Sequence, residues 1–138
     1  MNLQAAVRAR LVGDGTLTAL IGGAQPRIFP ETRAQDSALP GVVYSINSEE
    51  ALMTMTSAAC WKADVEIVAV APTAASAQAV AKAVVARMDG WSGTEASTAI
   101  MHSLHSRSVT AYNAPQAGET TGAFLHTTVF SVMYKAAP

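Results

Sequence analysis

Residues 61–90 read WKADVEIVAVAPTAASAQAVAKAVVARMDG, and the period of their apolar positions changes once. Trp61, Ala63, Val65, Ile67 and Ala69 alternate with Lys62, Asp64 and Glu66, the two-residue period of a strand with one dry face. Val68 and Val70 then make both sides apolar, as in a strand that becomes covered further along. After Pro72 the period lengthens. Ala77, Val80, Ala81, Val84 and Met88 form a helical stripe, with Gln78, Lys82 and Arg87 facing away. Thr73 is placed to cap this helix and Gly90 to close it. The stripe is mostly Ala and Val, so the helix can lie close to a sheet.

Working outward, Leu3, Ala6, Val7 and Leu11 share one face of a short opening helix. Asn2 is read as its cap, and Gly13 as its end in a left-handed conformation. Thr16 is read as the cap of a second apolar turn, Leu17 to Ile21, stopped by Gly22-Gly23. Arg27-Ile28-Phe29-Pro30 reads as a short extended piece and 31–38 as a polar loop. Leu39-Pro40-Gly41 leads into a strand over 42–47, with Val42, Tyr44 and Ile46 on one face. Residues 48–58 are Ser-, Thr- and Met-rich, fitting either a hairpin tip or a mobile loop. A strand is expected over 98–110, a turn-rich loop over 111–121, and a last strand over 123–135. In that strand Phe124, Phe130, Val132 and Tyr134 share one face, and Leu125, Val129 and Met133 the other. The expected fold is α+β: a mainly antiparallel sheet of about four strands with helices packed on one face, in a single domain over 1–138.

The chain has 138 residues, a size at which about two-thirds of the unfolded surface can be buried. Half the residues are apolar and only 14% are charged, against a usual ~25%. A surface that spends its life against other subunits is depleted in charge in this way, although an Ala-rich composition lowers the charged fraction equally well. The net charge is −1 with scattered Lys and Arg, which is not the basic footprint of a dedicated nucleic-acid binder. Cys60 is the only cysteine, so no internal disulfide forms, and a reduced, buried thiol is expected. No signal-peptide profile opens the chain and no apolar run is long enough to cross a bilayer, so an intracellular, membrane-free product is expected.

The search for chemistry returns structural readings. His102 and His126 are candidate cross-strand neighbours, but no carboxylate or Cys sits at ligand spacing, so no metal is expected. Cys60 lies beside Trp61 with nothing local to activate it. Glu49 and Glu50 are adjacent on an extended segment and diverge, which suits a solvated face better than acid–base work. Gly13-Asp14-Gly15 and Gly22-Gly23 punctuate helices and do not cradle phosphate. Met53 and Met55 fit an adaptable contact surface or a plain hydrophobic patch. No catalytic residue and no cofactor is expected.

Four segments resemble, in order and spacing, the tail-completion family of long-tailed phages and phage-like particles. They are Arg8-Ala9-Arg10-Leu11-Val12 with Leu17 to Gly23 and Arg27-Ile28-Phe29-Pro30; Leu39-Pro40-Gly41-Val42-Val43-Tyr44; the strand and Ala-rich helix closed by Asp89-Gly90; and the closing strand ending in Tyr134. The segment 98–108 and the loop after it carry no family signature. The resemblance implies a non-enzymatic tail terminator of a bacteriophage or gene transfer agent, made in the host cytoplasm and placed at the tail neck of the virion. Such proteins form a ring, usually a hexamer, between the major tail tube protein and the head connector or stopper. Double-stranded DNA passes through the lumen without specific binding; six copies at −1 carry about −6 and would not grip phosphates. Long loops carry binding, so 48–58 and 111–121 are the expected axial contacts, through Glu49, Glu50, Met53, Met55, Asn113, Gln116 and Glu119. Another neck ring component, such as a head-side stopper or adaptor, and a small-molecule-binding α+β domain are the alternatives. A deep pocket with convergent polar groups would mark the last.

Overall fold

The computed structural model describes residues 2–23, 26–31, 39–53, 58–114 and 122–136. Among these residues the order is α1 (Leu3–Val12), α2 (Gly15–Leu20), β1 (Ile28–Pro30), β2 (Gly41–Met53), β3 (Ala58–Ala71), α3 (Ala74–Met88), β4 (Gly93–Glu95), β5 (Thr98–Asn113) and β6 (Ala123–Ala136). The fold is α+β, but the sheet differs from expectation. It has six strands in the order β1-β2-β3-β6-β5-β4, not four. It is also mixed, because β1 runs parallel to β2 while the other pairings are antiparallel.

Two of the missed features are short edge strands. The piece around Ile28 pairs Ile28, Phe29 and Pro30 with Val42, Val43 and Tyr44. Three residues are too few to show a period, so only the partner reveals them as a strand. Strand β4 was invisible because its turn lacks the usual signal. Ala96 and Ser97 join Glu95 to Thr98 with φ of 49° and 60°. Two positive φ values are the mark of a tight primed hairpin turn, which normally selects Asn-Gly.

The long strands follow their patterns. Ala63, Val65, Ile67 and Ala69 are buried in one core with Phe130, Val132 and Tyr134 of β6 and with Val80, Ala81, Val84 and Met88 of α3. Thr73 caps α3 by accepting from the Ser76 N–H. Asn2 caps α1 through the Ala5 N–H. Two helix-end readings are corrected. Gly13 has φ −72°, so α1 ends without a left-handed residue, and Asp14, not Thr16, caps α2 by accepting from the Thr16 N–H.

Helix α1 shapes the sheet. It contacts both edge strands, β1 and β4. Six strands laid flat at about 4.8 Å spacing span roughly 24 Å, whereas a ten-residue helix is only about 15 Å long. The sheet therefore curls around the helix. Three polar ties mark the closure: the Asn2 N–H donates to Thr98 Oγ1 at 3.0 Å, Gln4 donates to Glu31 at 3.0 Å, and Arg10 meets Glu95 at 3.8 Å. Leu3, Ala6, Val7 and Leu11 fill the space between.

Two measurements test this account by urea unfolding. Leu11→Ala removes a fully buried side chain from the helix inside the curl, and should cost about 3 kcal/mol at unchanged m-value. Ser97→Gly relieves a left-handed non-glycine residue and should raise stability by about 0.5–1 kcal/mol.

Candidate interaction surface

A polar-lined pocket of about 590 Å³, bounded by Asn2, Gln4, Asn47, Ser48, Glu49 and Tyr134, opens beside the start of α1 among the described residues. No group of three or more His, Cys, Asp or Glu among them is placed to hold a metal. His102 and His126 are not cross-strand neighbours. His102 lies opposite Met133, and His126 opposite Thr110 on one side and Ala69 on the other. The register is the reason: Met133, the partner of His102, is seven residues along β6 from His126. A bulge between Ile100 and His102 breaks the alternation expected for 98–110. Ile100 and Ser103 are both buried as a result, while Met101 and Leu104 are exposed. Buried Nδ1 of His102 and Oγ of Ser103 have no hydrogen-bond partner. They lie on opposite faces of β5, because their partners Met133 and Val132 are adjacent in β6, so they do not converge on one ligand. Cys60 is a half-buried free thiol opposite Leu52.

The expected contact residues sit on strands rather than loops. Glu49, Glu50 and Met53 belong to β2, which continues to Met53 where 48–58 was read as a loop or tip. Asn113 is the last residue of β5, opposite Ala123. The cause in both cases is polar and small residues on a strand exposed on both sides, which carry no alternation. Met55, Gln116 and Glu119 lie outside the described residues. The β2–β3 connection and the β5–β6 connection leave the sheet at opposite ends. Met53 and Ala58 flank the first, near the end marked by Trp61 and Tyr134; Asn113 and Ala123 flank the second, near the end marked by Ala71 and Phe124.

Glu49 lies near the buried Tyr134, which is pushed up to about 12, first by burial and then by the Glu49 carboxylate. Glu50, one residue on, faces the other way, opposite Lys62. Met53 is 70% exposed.

The sheet's outermost strands are covered over only part of their length. Strand β1 reaches Tyr44 of β2, where the Glu31 N–H donates to the Tyr44 carbonyl. Strand β4 reaches only Ile100 of β5. The end of α3 then takes over. The Gly90 N–H donates to the Ser103 carbonyl at 2.8 Å, and Asp89 accepts from the His105 N–H at 3.0 Å. The Asp-Gly pair that closes α3 thus stitches it to β5, a role its sequence position alone did not convey. Beyond His105 on β5 and beyond Tyr44 on β2, no described residue pairs with the outer edge. Val109 and Tyr112 are each more than half exposed there. Ring contact with Phe124 at 4.7 Å holds Tyr112. A shallow apolar groove of about 430 Å³ lies between this hairpin and α3, lined by Ala77, Gln78, Tyr112, Phe124 and His126 among others. Unpaired strand edges of this length are templates for pairing with another chain.

Among the described residues, no helix is long and apolar enough to cross a membrane. Residues 5–121 match the family described as Tail completion protein gp17, which is most of the chain. The chain belongs to that family. It is also similar to a chain in the structure titled "Virion of native gene transfer agent (GTA) particle", at 21% identity and a TM-score of 0.71, covering 96% of this chain and 93% of that one. At that identity the likeness speaks to the fold. No curated protein matches.

The Tyr134–Glu49 contact has a signed pH dependence. A tyrosine raised in the folded state binds its proton more tightly there than in the unfolded chain, where it titrates near 10. Its contribution is therefore complete below about pH 10 and is lost as pH rises toward 12. Urea midpoints of the wild type should fall across that window. Tyr134→Phe should show a shallower fall and lose about 1 kcal/mol at neutral pH; equal slopes would refute the assignment.

Proposed function

We propose that this tail completion family member is a structural, non-enzymatic component of a phage-like virion or gene transfer agent. In this reading it forms a ring, a hexamer in the expected case, that terminates the tail tube and joins it to the head connector. The observation that carries the reading is the family match over residues 5–121, supported by a fold like that of a chain in a gene transfer agent virion.

The geometry supports a two-sided adaptor. A protein between tube and connector needs contact surfaces facing in opposite directions. The connections after Met53 and after Asn113 leave the sheet at opposite ends. One end is assigned to the tube and the other to the connector, with Glu49, Glu50, Met53 and Asn113 as contact residues on the described side. Met55, Gln116 and Glu119 belong to the same two surfaces by position in the chain. A ring requires a head-to-tail interface that closes on itself, and a surface with only 14% charged residues over the whole chain is compatible with extensive burial between copies. The weak net charge of −1 per copy suits a lumen through which DNA slides.

The test is imaging of particles from a strain lacking this protein. Unattached heads and tails of abnormal length are expected, and normal joined particles would end the proposal. A finer test is Met53→Asp, which places a charge on a 70% exposed apolar residue. Far-UV circular dichroism should be unchanged while joined particles fall about tenfold or more, the loss expected for a charge without a partner at an interface.

A further inference from the structure

Two strand runs have no outer neighbour among the described residues. One is 46–53 on β2, reading INSEEALM; the other is 106–113 on β5, reading SRSVTAYN. Each is eight residues, about 26 Å of strand. They occupy opposite sides of the sheet, since β2 lies beside the β1 edge and β5 beside the β4 edge. We infer that these two runs are the two halves of one interface: β5 of one copy adds to β2 of the next as an antiparallel strand pair, continuing the sheet from subunit to subunit. The inference rests on the ring reading above and names the contact that would join its subunits.

Charge, direction and length all fit. The β2 run carries Glu49 and Glu50 and no basic residue, whereas the β5 run carries Arg107 and no acidic one, with His105 just before it. All four are exposed. Each edge therefore fits the other better than it fits its own kind, because like charges opposed across a ladder are destabilising and opposite charges stabilising. Pairing of β5 with β5, or β2 with β2, would give a closed two-fold dimer; the charges select the head-to-tail contact instead. Strand direction agrees. Three antiparallel steps separate β2 from β5, so the two run oppositely within one sheet. A second copy placed alongside in the same sense presents β2 antiparallel to β5.

The faces agree as well. Glu50 and Leu52 share the face of their partners Lys62 and Cys60, which is the side of the sheet away from the helices. Arg107 and Val109 sit opposite Val129 and Thr127 on that same side. A pairing that keeps the face continuous and overlaps the two runs fully sets Glu50 opposite Val109 and Leu52 opposite Arg107, which leaves Glu50 diagonal to Arg107 and Leu52 diagonal to Val109. The two runs lie at opposite ends of the sheet, so each added copy is displaced along the strands as well as sideways, and ring closure requires the strands to tilt from the ring axis so that this displacement runs around the ring.

The experiment uses the full chain with Cys60→Ser to remove the native thiol. One preparation carries Glu50→Cys and a second carries Val109→Cys. The two are mixed and treated with a short bismaleimide, which captures weak contacts without requiring a stable oligomer. The mixture should yield about tenfold more covalent heterodimer than Val109→Cys mixed with Lys82→Cys, whose cysteine lies on the exposed side of α3. Yields equal to that control overturn the pairing. Charge reversal supplies an independent arm at exposed positions that the fold does not need. Glu50→Lys and Arg107→Glu should each weaken self-association about tenfold, and mixing Glu50→Lys chains with Arg107→Glu chains should restore an alternating β2–β5 contact. Reversals without effect, or without rescue, also overturn it. Crosslinked chains that grow into open filaments uphold the strand pairing and remove the ring; closed rings that do not crosslink keep the ring and overturn the pairing.

Discussion

The structure depends on one packing constraint: a ten-residue helix must fill the concave side of a six-stranded sheet and still reach both of its edges. Leu3, Ala6, Val7 and Leu11 provide the apolar side of that contact. Burial of four such side chains is the dominant local gain, at roughly 1.5–3 kcal/mol for each of the larger three. The polar ties to Thr98, Glu31 and Glu95 are peripheral and set orientation more than stability. A flat sheet would leave the ends of α1 short of one edge, so curvature and helix position are a single solution.

The joint between α1 and α3 is built on the same economy of material. Arg10 and Arg87 each lie in the last turn of their helix, and each donates through Nε to the other's carbonyl oxygen, at 3.2 and 2.8 Å. Two cations side by side repel. Burial and then Arg87 pull the Arg10 pKa down, and Glu95 and Asp14 pull it back up. The negative ends of both helix dipoles and the face of Trp91, 5.4 Å from the Arg10 guanidinium, offset the rest. A side chain on Gly13 would have its Cβ 2.9 Å from the Arg87 guanidinium, so the absence of a side chain there serves packing rather than a left-handed turn.

Curling also determines what is left uncovered. The helices lie on the side that carries Ala63, Val65 and Ile67, and the edge strands β1 and β4 are three residues each against thirteen and sixteen in the strands they cover. That mismatch in length leaves long runs of β2 and β5 without a described neighbour. For a protein that acts alone, such edges are a hazard. For a member of a tail completion family they are the surface on which an assembly role most naturally rests, which is why the proposed subunit contact is placed there and not in the shallow groove beside α3.

The amino-acid sequence alone determined the elements whose signal is internal to them. The alternation in 61–70 and 123–135, the stripe of α3, the Thr73 and Asn2 caps and the family resemblance were all legible, because periodicity and capping depend only on neighbours along the chain. Strand β4, the extent of β2 to Met53, the bulge after Ile100 and the separation of His102 from His126 were not. Each depends on a partner strand that is distant in sequence: a three-residue edge exists only if another strand accepts its hydrogen bonds, and a bulge shifts every later side chain by one face. Glu49, Glu50, Met53 and Asn113 could be named from the sequence as expected contacts, but only tertiary structure put them on strands, at opposite ends of one curled sheet. Side-chain order is written in the chain; which edges meet, and which stay open, is settled by the way the sheet closes around its helix.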